Sequence, residues 1–216
     1  MARPLVGSVL VTVGAVIVLS LSLLLVSTPA GADVIFTLGN NPQPGEENIL
    51  LNTGDVGSTV FGLTSATGLP VSFSSTTDTL LVSGQGITTD DGSALNNVAI
   101  AVPNGTFSDF IFNPLNGSGF ATVTALLNEP GGGMDTALFI YELGNGQNFL
   151  TVDAINGESF ASVTIDAPGG FDDLRQARIS GASVETAAVP EPATLSLLGL
   201  GLAGIGARRW RQRKTS

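Results

Sequence analysis

The chain has 216 residues, carries a formal net charge of −10, and contains neither Cys nor His. These absences exclude disulfides, thiolate chemistry and a Ser-His-Asp triad. If the two ends serve delivery, residues 33–188 are left as one domain by size, in which two Arg and 17 acidic residues give a formal charge of −15. We predict no nucleic-acid partner, because such binding needs Lys and Arg to displace counterions.

The N-terminus has the three parts of a secretory signal peptide. Arg3 supplies a positive charge, an uncharged apolar run extends from Leu5 to Val26, and Ala30-Gly31-Ala32 forms a small-residue cleavage site. We therefore predict a signal peptide at residues 1–32, with Ala30 and Ala32 at the cleavage positions and a mature chain that begins at Asp33. The alternative is an uncleaved anchor, because 22 apolar positions could span a bilayer.

Short segments rich in β-branched residues and Phe fill the central part of the chain. Two of them alternate with period two, which indicates half-buried strands. In the segment 159–165, Ala161, Val163 and Ile165 would share one face. In the segment 174–179, the even positions (Leu174, Gln176 and Arg178) would face away from the odd ones (Arg175, Ala177 and Ile179). The segments predicted as strands are 33–38, 48–51, 59–63, 71–74, 79–83, 97–102, 109–112, 120–127, 137–143, 148–154, 159–165 and 173–184.

Turn signals separate these segments. Gly and Asn tolerate positive φ and mark tight turns, and they cluster at Asn104-Gly105, Asn116-Gly117, Asn156-Gly157 and Pro168-Gly169-Gly170, among others. Many short strands at this spacing predict an all-β sandwich or barrel of a single domain, residues 33–188.

Three pairs of adjacent acids lie in this domain: Glu46-Glu47, Asp90-Asp91 and Asp172-Asp173. Solvated loops are the simplest interpretation. Calcium is the alternative cofactor, because it favours hard oxygen ligands, and Glu46, Glu47, Asp172 and Asp173 would then be its structural ligands. Two carboxylates could also serve a glycan-active enzyme. Adjacent strand residues point to opposite faces, however, so no pair is by itself a catalytic couple.

The two arginines of the domain, Arg175 and Arg178, have two interpretations. They could pair with nearby acids such as Asp172 and Asp173, or they could contact the carboxylates of a polysaccharide. Sugar-binding clefts usually offer stacking aromatic rings, whereas this domain has a single Tyr, Tyr141, and no Trp. The composition therefore gives carbohydrate binding little support by itself.

The C-terminus contains three successive signals. Pro190-Glu191-Pro192 comes first, an apolar segment from Leu195 to Ala207 follows, and the chain then carries a dense basic cluster: Arg208, Arg209, Arg211, Arg213 and Lys214. A short apolar segment before basic residues is a stop-transfer arrangement that holds the cluster in the cytoplasm. Residues 193–207 would extend only about 22 Å as a helix, against a hydrocarbon core about 30 Å thick. We therefore predict a transmembrane helix that inserts transiently.

This tail, residues 189–216, resembles the PEP-CTERM sorting signal. The resemblance implies that a membrane enzyme, exosortase, cleaves near Pro190-Glu191-Pro192 after the general secretion machinery has exported the chain. It also implies a host that makes exopolysaccharide and biofilm. The stretches 146–158, 163–165 and 171–181 are similar to the bodies that often precede such a tail, which implies a jelly-roll-like β-sandwich.

The sequence thus predicts an exported, non-enzymatic surface or extracellular-matrix protein with no catalytic residues, associated with exopolysaccharide or biofilm. It would be membrane-anchored before tail processing, and at the cell surface or extracellular after it. A carbohydrate-binding or adhesive module of the same fold is the first alternative. A glycan-active enzyme that uses paired carboxylates is the second.

Overall fold

The structure is a computed structural model that describes residues 31–184. This part of the chain contains strands and no helix, so the all-β prediction is confirmed. The strands are β1 (Val34–Leu38), β2 (Glu47–Leu50), β3 (Val56–Gly57), β4 (Thr59–Thr64), β5 (Pro70–Ser74), β6 (Leu80–Ser83), β7 (Gly86–Thr89), β8 (Leu95–Ala101), β9 (Gly105–Thr106), β10 (Asp109–Leu115), β11 (Gly119–Asn128), β12 (Met134–Leu143), β13 (Leu150–Ala154), β14 (Ser159–Phe171), β15 (Asp173–Ser180) and β16 (Ser183–Val184).

Two antiparallel sheets form the jelly-roll-like β-sandwich, and β2 joins them. The first sheet has the order β1-β13-β10-β15, beyond which β7, β6 and β3 continue. The second has the order β4-β5-β8-β14-β11-β12. The start of β2 pairs with β15 through Glu47 and Asn48, and its end pairs with β4 through Ile49 and Leu50. The sandwich is therefore nearly closed along this side, because one strand belongs to both sheets.

The core between the sheets is filled largely by phenylalanine. The six largest fully buried side chains are Phe73, Phe107, Phe110, Phe112, Phe160 and Phe171. Phe107 packs against Phe160 with ring centroids 5.4 Å apart, and Phe110 stacks on Phe112 at 5.0 Å. Each buried ring removes a large apolar area from water, so the domain needs no disulfide to hold its sheets together.

The opposite side of the sandwich lies between β1 and β12, the terminal strands of the two sheets. Phe36 of β1 stacks on Phe139 of β12, with ring centroids 5.0 Å apart and planes inclined by 8°. The other face of β12 is exposed and apolar at Leu138 and Ile140, and Phe120 of β11 is also exposed. This ring contact therefore links the free edges of the two sheets.

A β-bulge changes which face of β14 is buried. Leu126 pairs with Ser162 and Leu127 with Phe160, so Ala161 is an extra residue on β14. Phe160 is consequently buried, while Ala161 is only half-buried. The prediction that Ala161 shares a buried face with Val163 and Ile165 is therefore wrong, because the bulge shifts the alternation by one residue.

The turn predicted at Pro168-Gly169-Gly170 lies inside β14. The pairing with β8 is interrupted between Asp166 and Phe171, and the strand passes through the irregularity. A Cβ on Gly169 would lie 2.2 Å from the backbone oxygen of Ser118. The glycine is thus required because another backbone approaches closely, and the prediction of a turn here is wrong.

No helix long and apolar enough to cross a membrane occurs between residues 31 and 184. The predicted transmembrane helix of the tail lies outside the described residues.

Candidate functional site

A groove of about 660 Å³ lies where β2, β10 and β15 meet the loops that follow β1, β6 and β12. Seven amide side chains contribute to its lining: Asn40, Asn48, Asn52, Gln85, Asn113, Gln147 and Gln176. Both arginines, Arg175 and Arg178, and the ring-bearing Phe149 also line it, whereas no Asp or Glu does. The groove therefore offers hydrogen-bond donors and acceptors without a negative charge of its own.

A break in the pairing of β15 creates room for the groove. Along one edge, β15 pairs with β2 at Arg178 and Ile179 and with β7 at Leu174 and Arg175. Gln176 lies between these two pairings, with a left-handed φ of 52°. This conformation is costly for a residue with a Cβ and is often found next to functional sites.

A bulge at Gln176 also decides which side chains of β15 reach the groove. On the other edge, Ile111 of β10 pairs with Arg178 and Asn113 with Arg175, so the register of the two strands shifts by one residue between these pairs. Arg175 and Gln176 are both exposed, although they are neighbours, while Leu174, Ala177 and Ile179 are all buried. The predicted strict alternation along this strand is therefore wrong.

Hydrogen bonds hold the amide side chains of the groove in place. Asn113 Nδ2 donates to Gln176 Oε1 over 3.3 Å, and Asn113 Oδ1 accepts the backbone N–H of Asn148 at 2.8 Å. The Asn148 side chain in turn donates to the backbone oxygens of Pro114, at 2.9 Å, and Gly144, at 2.8 Å. These contacts fix the loop that carries Gln147 and Phe149, so this wall of the groove is preorganised.

Each arginine of the groove already has an acidic partner. Arg175 pairs with Asp173 at 2.6 Å, as predicted, and its side chain is 49% exposed. Arg178 pairs with Glu46 at 3.2 Å rather than with Asp172 or Asp173, and it also donates to Asn40. Because Arg175 is half exposed, a ligand carboxylate could reach it with little rearrangement.

The four predicted calcium ligands are not brought together. Glu47 accepts the backbone N–H groups of Ala66 and Thr67, both at 2.7 Å, and the bond from Thr67 is the main cause that lowers its pKa. Glu46 pairs with Arg178, Asp173 with Arg175, and Asp172 accepts a bond from the Asn116 side chain at 2.8 Å. Within residues 31–184, no three acidic side chains form a group that could hold a metal ion. Structural calcium stays a prediction from the sequence.

A different acidic pair, Asp109 on β10 and Asp153 on β13, lines a second pocket of about 440 Å³. Asp109 is 3% exposed, and its two carboxyl oxygens have no hydrogen-bond donor in the described part of the chain. Burial is the main cause that raises the pKa of Asp109 from its ordinary 3.8 to about 9, and the neighbouring Asp153 carboxyl group raises it further. At neutral pH, Asp109 therefore keeps a proton, which it can donate to Asp153.

The sequence analysis missed this pair, because 43 residues separate the two acids and only the strand register brings them together. The one available signal is that each acid stands within a strand rather than in a turn. Glycoside hydrolysis needs two carboxyl groups that reach the substrate, whereas the oxygens of Asp109 are buried. Neither this pocket nor the carboxylate-free groove supports the glycan-active enzyme.

The delivery signals lie mostly outside the described residues. These include Ala30, the motif Pro190, Glu191 and Pro192, and the cluster Arg208, Arg209, Arg211, Arg213 and Lys214. Ala32 is described, and it packs half-buried against the core. The signal-peptide and cleavage assignments stay predictions.

Comparison with known proteins identifies the tail. The family described as PEP-CTERM protein-sorting motif matches residues 188–213, so the predicted resemblance is confirmed. No curated protein matches the chain.

Similar solved structures include CBM29_1, a family 29 carbohydrate binding module from Piromyces equi. It is 7% identical and has a TM-score of 0.29, with 68% of this chain and 89% of that one covered. A CBM29-2 mutant complexed with mannohexaose is 12% identical with a TM-score of 0.26, covering 69% and 89% of the two chains. At TM-scores this low, these likenesses carry no inference about function.

Proposed function

We propose that this chain is an exported, non-enzymatic surface or extracellular-matrix protein, processed at its C-terminal sorting motif, whose sandwich domain binds extracellular polysaccharide in the amide-lined groove. The secretion machinery would export the chain, exosortase would act near Pro190-Glu191-Pro192, and membrane insertion of the tail would be transient. The sorting motif at residues 188–213 supports the export part of this proposal.

The groove is the observation that carries the binding part. Sugar hydroxyls both donate and accept hydrogen bonds, and amide side chains offer both functions in one group. Seven amides share the lining, and Phe149 adds an apolar surface. No acid is among the lining residues, and the two acids at its border, Glu46 and Asp173, are each paired with an arginine of the groove. A polysaccharide that carries uronate groups would therefore meet no unpaired acid in the lining, although the domain around it is strongly acidic.

A purely structural matrix component is the second candidate. The strained backbone at Gln176 favours binding over this alternative, because a strand with regular alternation would build the same sandwich without that cost. The bulge instead directs two adjacent polar side chains, Arg175 and Gln176, into the groove.

Co-sedimentation of the exported protein with the exopolysaccharide of its own host tests this proposal. Asn52 and Gln147 line the groove with exposed side chains, so the double variant Asn52→Ala, Gln147→Ala should fold normally. We expect it to bind about thirtyfold more weakly, since two lost hydrogen bonds at about 1 kcal/mol each amount to about 2 kcal/mol.

The matched control is Asn128→Ala, which removes an amide from β11, outside the groove lining. It should bind as the wild type does. Equal retention of the groove variant and the wild type, or no retention of the wild type, would contradict binding in the groove.

A further inference from the structure

Asp33 is held by three hydrogen bonds to one turn of the chain, the segment from Ile155 to Glu158. Its backbone N–H donates to Glu158 Oε2 at 2.9 Å, and its backbone oxygen accepts the N–H of Ile155 at 2.9 Å. Its carboxylate accepts a bond from Asn156 Nδ2 at 2.8 Å. The turn thus holds the backbone nitrogen, the backbone oxygen and the side chain of the residue at which the predicted mature chain begins.

The turn has a fixed geometry. Asn156 and Gly157 have φ angles of 55° and 86°, and the backbone N–H of Glu158 donates to the oxygen of Ile155 at 3.1 Å. Immediately after Asp33, Val34 pairs with Ala154 as β1 joins β13. The position of Glu158 relative to the Asp33 nitrogen is therefore set by a tight turn on one side and a sheet on the other.

Glu158 lacks a positive partner among residues 31–184. It is 6% exposed, and the backbone N–H of Asp33 is the donor that its carboxylate meets. The two arginines of the domain pair elsewhere, with Asp173 and Glu46. A nearly buried carboxylate gains most from a charged donor, and a neutral amide supplies only part of that stabilisation.

We infer that Glu158 is the binding site for the free α-amino group that forms at Asp33 when the leader is removed, an inference that rests on the proposed export and on the cleavage after Ala32 that the sequence predicts. Hydrolysis adds one water across the Ala32–Asp33 amide. Ala32 leaves with the new carboxylate, and the Asp33 nitrogen takes up protons to become an ammonium group. The same nitrogen that donates at 2.9 Å in the uncut chain then carries a positive charge next to Glu158.

Cleavage would thus convert a neutral hydrogen bond into a nearly buried ion pair that anchors β1, the edge strand of the first sheet. The other charged groups near this amine are the Asp33 carboxylate, held by Asn156, and Asp153 on the neighbouring β13. All of them are acidic, so each favours the charged form of the amine. The mature domain would hold its first strand more firmly than the precursor does.

Amine labelling tests this inference cleanly, because Lys214 is the single Lys of the chain. The exported protein is first sequenced from its N-terminus and then acetylated at pH 7 with an N-hydroxysuccinimide ester, with the N-terminal peptide quantified by mass spectrometry. We expect the wild type to react at least about tenfold more slowly than both the Glu158→Gln variant and a free peptide of the same first six residues, since one pKa unit changes the reactive fraction tenfold.

Two further variants sharpen the result. Glu142→Gln removes an exposed acid from β12 and should react as slowly as the wild type. Glu158→Asp keeps the negative charge but places it one methylene farther from the Asp33 nitrogen. Its acetylation rate should therefore lie between those of the wild type and Glu158→Gln. If Glu158→Gln does not fold, the Asp variant and the free peptide still decide the outcome.

Three results would overturn the inference: wild type that reacts at the rate of the free peptide, equal slow rates in the wild type and both Glu158 variants, or an N-terminus other than Asp33. The last result would also refute the proposed cleavage site. Polysaccharide retention is measured separately and does not depend on any of them.

Discussion

Asp109 and Asp153 face each other across β10 and β13, and the oxygens of Asp109 meet no donor within residues 31–184. An ionised Asp109 would have no donor at its buried oxygens, so burial favours its protonated form. This arrangement makes the domain sensitive to pH in a direction opposite to that of an ordinary salt-bridged acid.

The first prediction concerns this pair. The pKa of Asp109 is raised from 3.8 to about 9, so between these values the folded state binds more protons than the unfolded state. The free energy of unfolding should therefore fall as the pH rises through this window, by up to about 1.4 kcal/mol per pH unit. Asp109→Asn can donate to Asp153 without taking up a proton, so its stability should vary less with pH and exceed that of the wild type at pH 9.

Urea unfolding at pH 5, 7 and 9 measures this difference. The matched control is Asp90→Asn, which changes an exposed acid in a turn and should follow the wild-type profile. Parallel pH profiles for Asp109→Asn and the wild type would show that Asp109 is not the proton-binding group.

The second prediction concerns the strained residue of the groove. Gln176 has a φ of 52°, which costs an L-residue about 1 kcal/mol relative to Gly. Gln176→Gly loses one hydrogen bond to Asn113 but relieves this strain, so its free energy of unfolding should match the wild-type value or exceed it slightly. Polysaccharide retention should nevertheless fall, because the groove loses a side chain that lines it.

Gln176→Val provides the contrast, since a β-branched residue tolerates this backbone poorly and should destabilise the domain by more than about 1 kcal/mol. Urea unfolding and co-sedimentation are measured on both variants. A Gly variant less stable than the Val variant would show that the conformation is not strained.

The third prediction concerns the close approach of two backbones at Gly169. An added Cβ would lie 2.2 Å from the Ser118 oxygen, and neither backbone can move without disturbing β14. Gly169→Ala should therefore lower the free energy of unfolding by about 1–3 kcal/mol. Gly131→Ala, at a glycine with no neighbour within 4 Å, should leave it nearly unchanged. Equal thermal melting temperatures for the two variants would mean that the approach is not as close as described.

The sequence predicted the strands well because period-two alternation reports burial on one face directly. The predicted segment 71–74 lies within β5, and 59–63 lies within β4. Turns were predicted correctly where Asn adopts positive φ, as at Asn104, Asn116 and Asn156. Three strands were not predicted: β3 and β9, of two residues each, and β7, of four, are too short to show clear alternation.

The bulges could not be predicted from the sequence in the same way. At Ala161 and Gln176 one residue is added to a strand, and the burial pattern shifts after it. Whether a strand bulges depends on the pairing of its neighbour, which local sequence does not report. For that reason the sequence placed Leu174 with Gln176 and Arg178, and the groove that the bulge at Gln176 forms was not foreseen.

The candidate site depends on contacts between distant segments. Asn40, Asn113 and Gln176 belong to three separate stretches of the chain, and only the strand order brings them into one groove. The acidic pair Asp109 and Asp153 depends on register in the same way. By contrast, the sorting motif is a continuous segment, and the sequence therefore identified it.

Cell fractionation tests the central claim, that the chain is exported and sorted at its tail. In the native host, Pro190, Glu191 and Pro192 are replaced together by Ala, and the protein is followed in membrane, surface and medium fractions. On this account the apolar segment enters the lipid during sorting and does not fill the sandwich core, so the domain should fold equally well in both forms. We expect the wild type to leave the membrane fraction and the variant to remain in it. Equal release of the two proteins would show that the sorting machinery does not recognise the motif and would contradict this account.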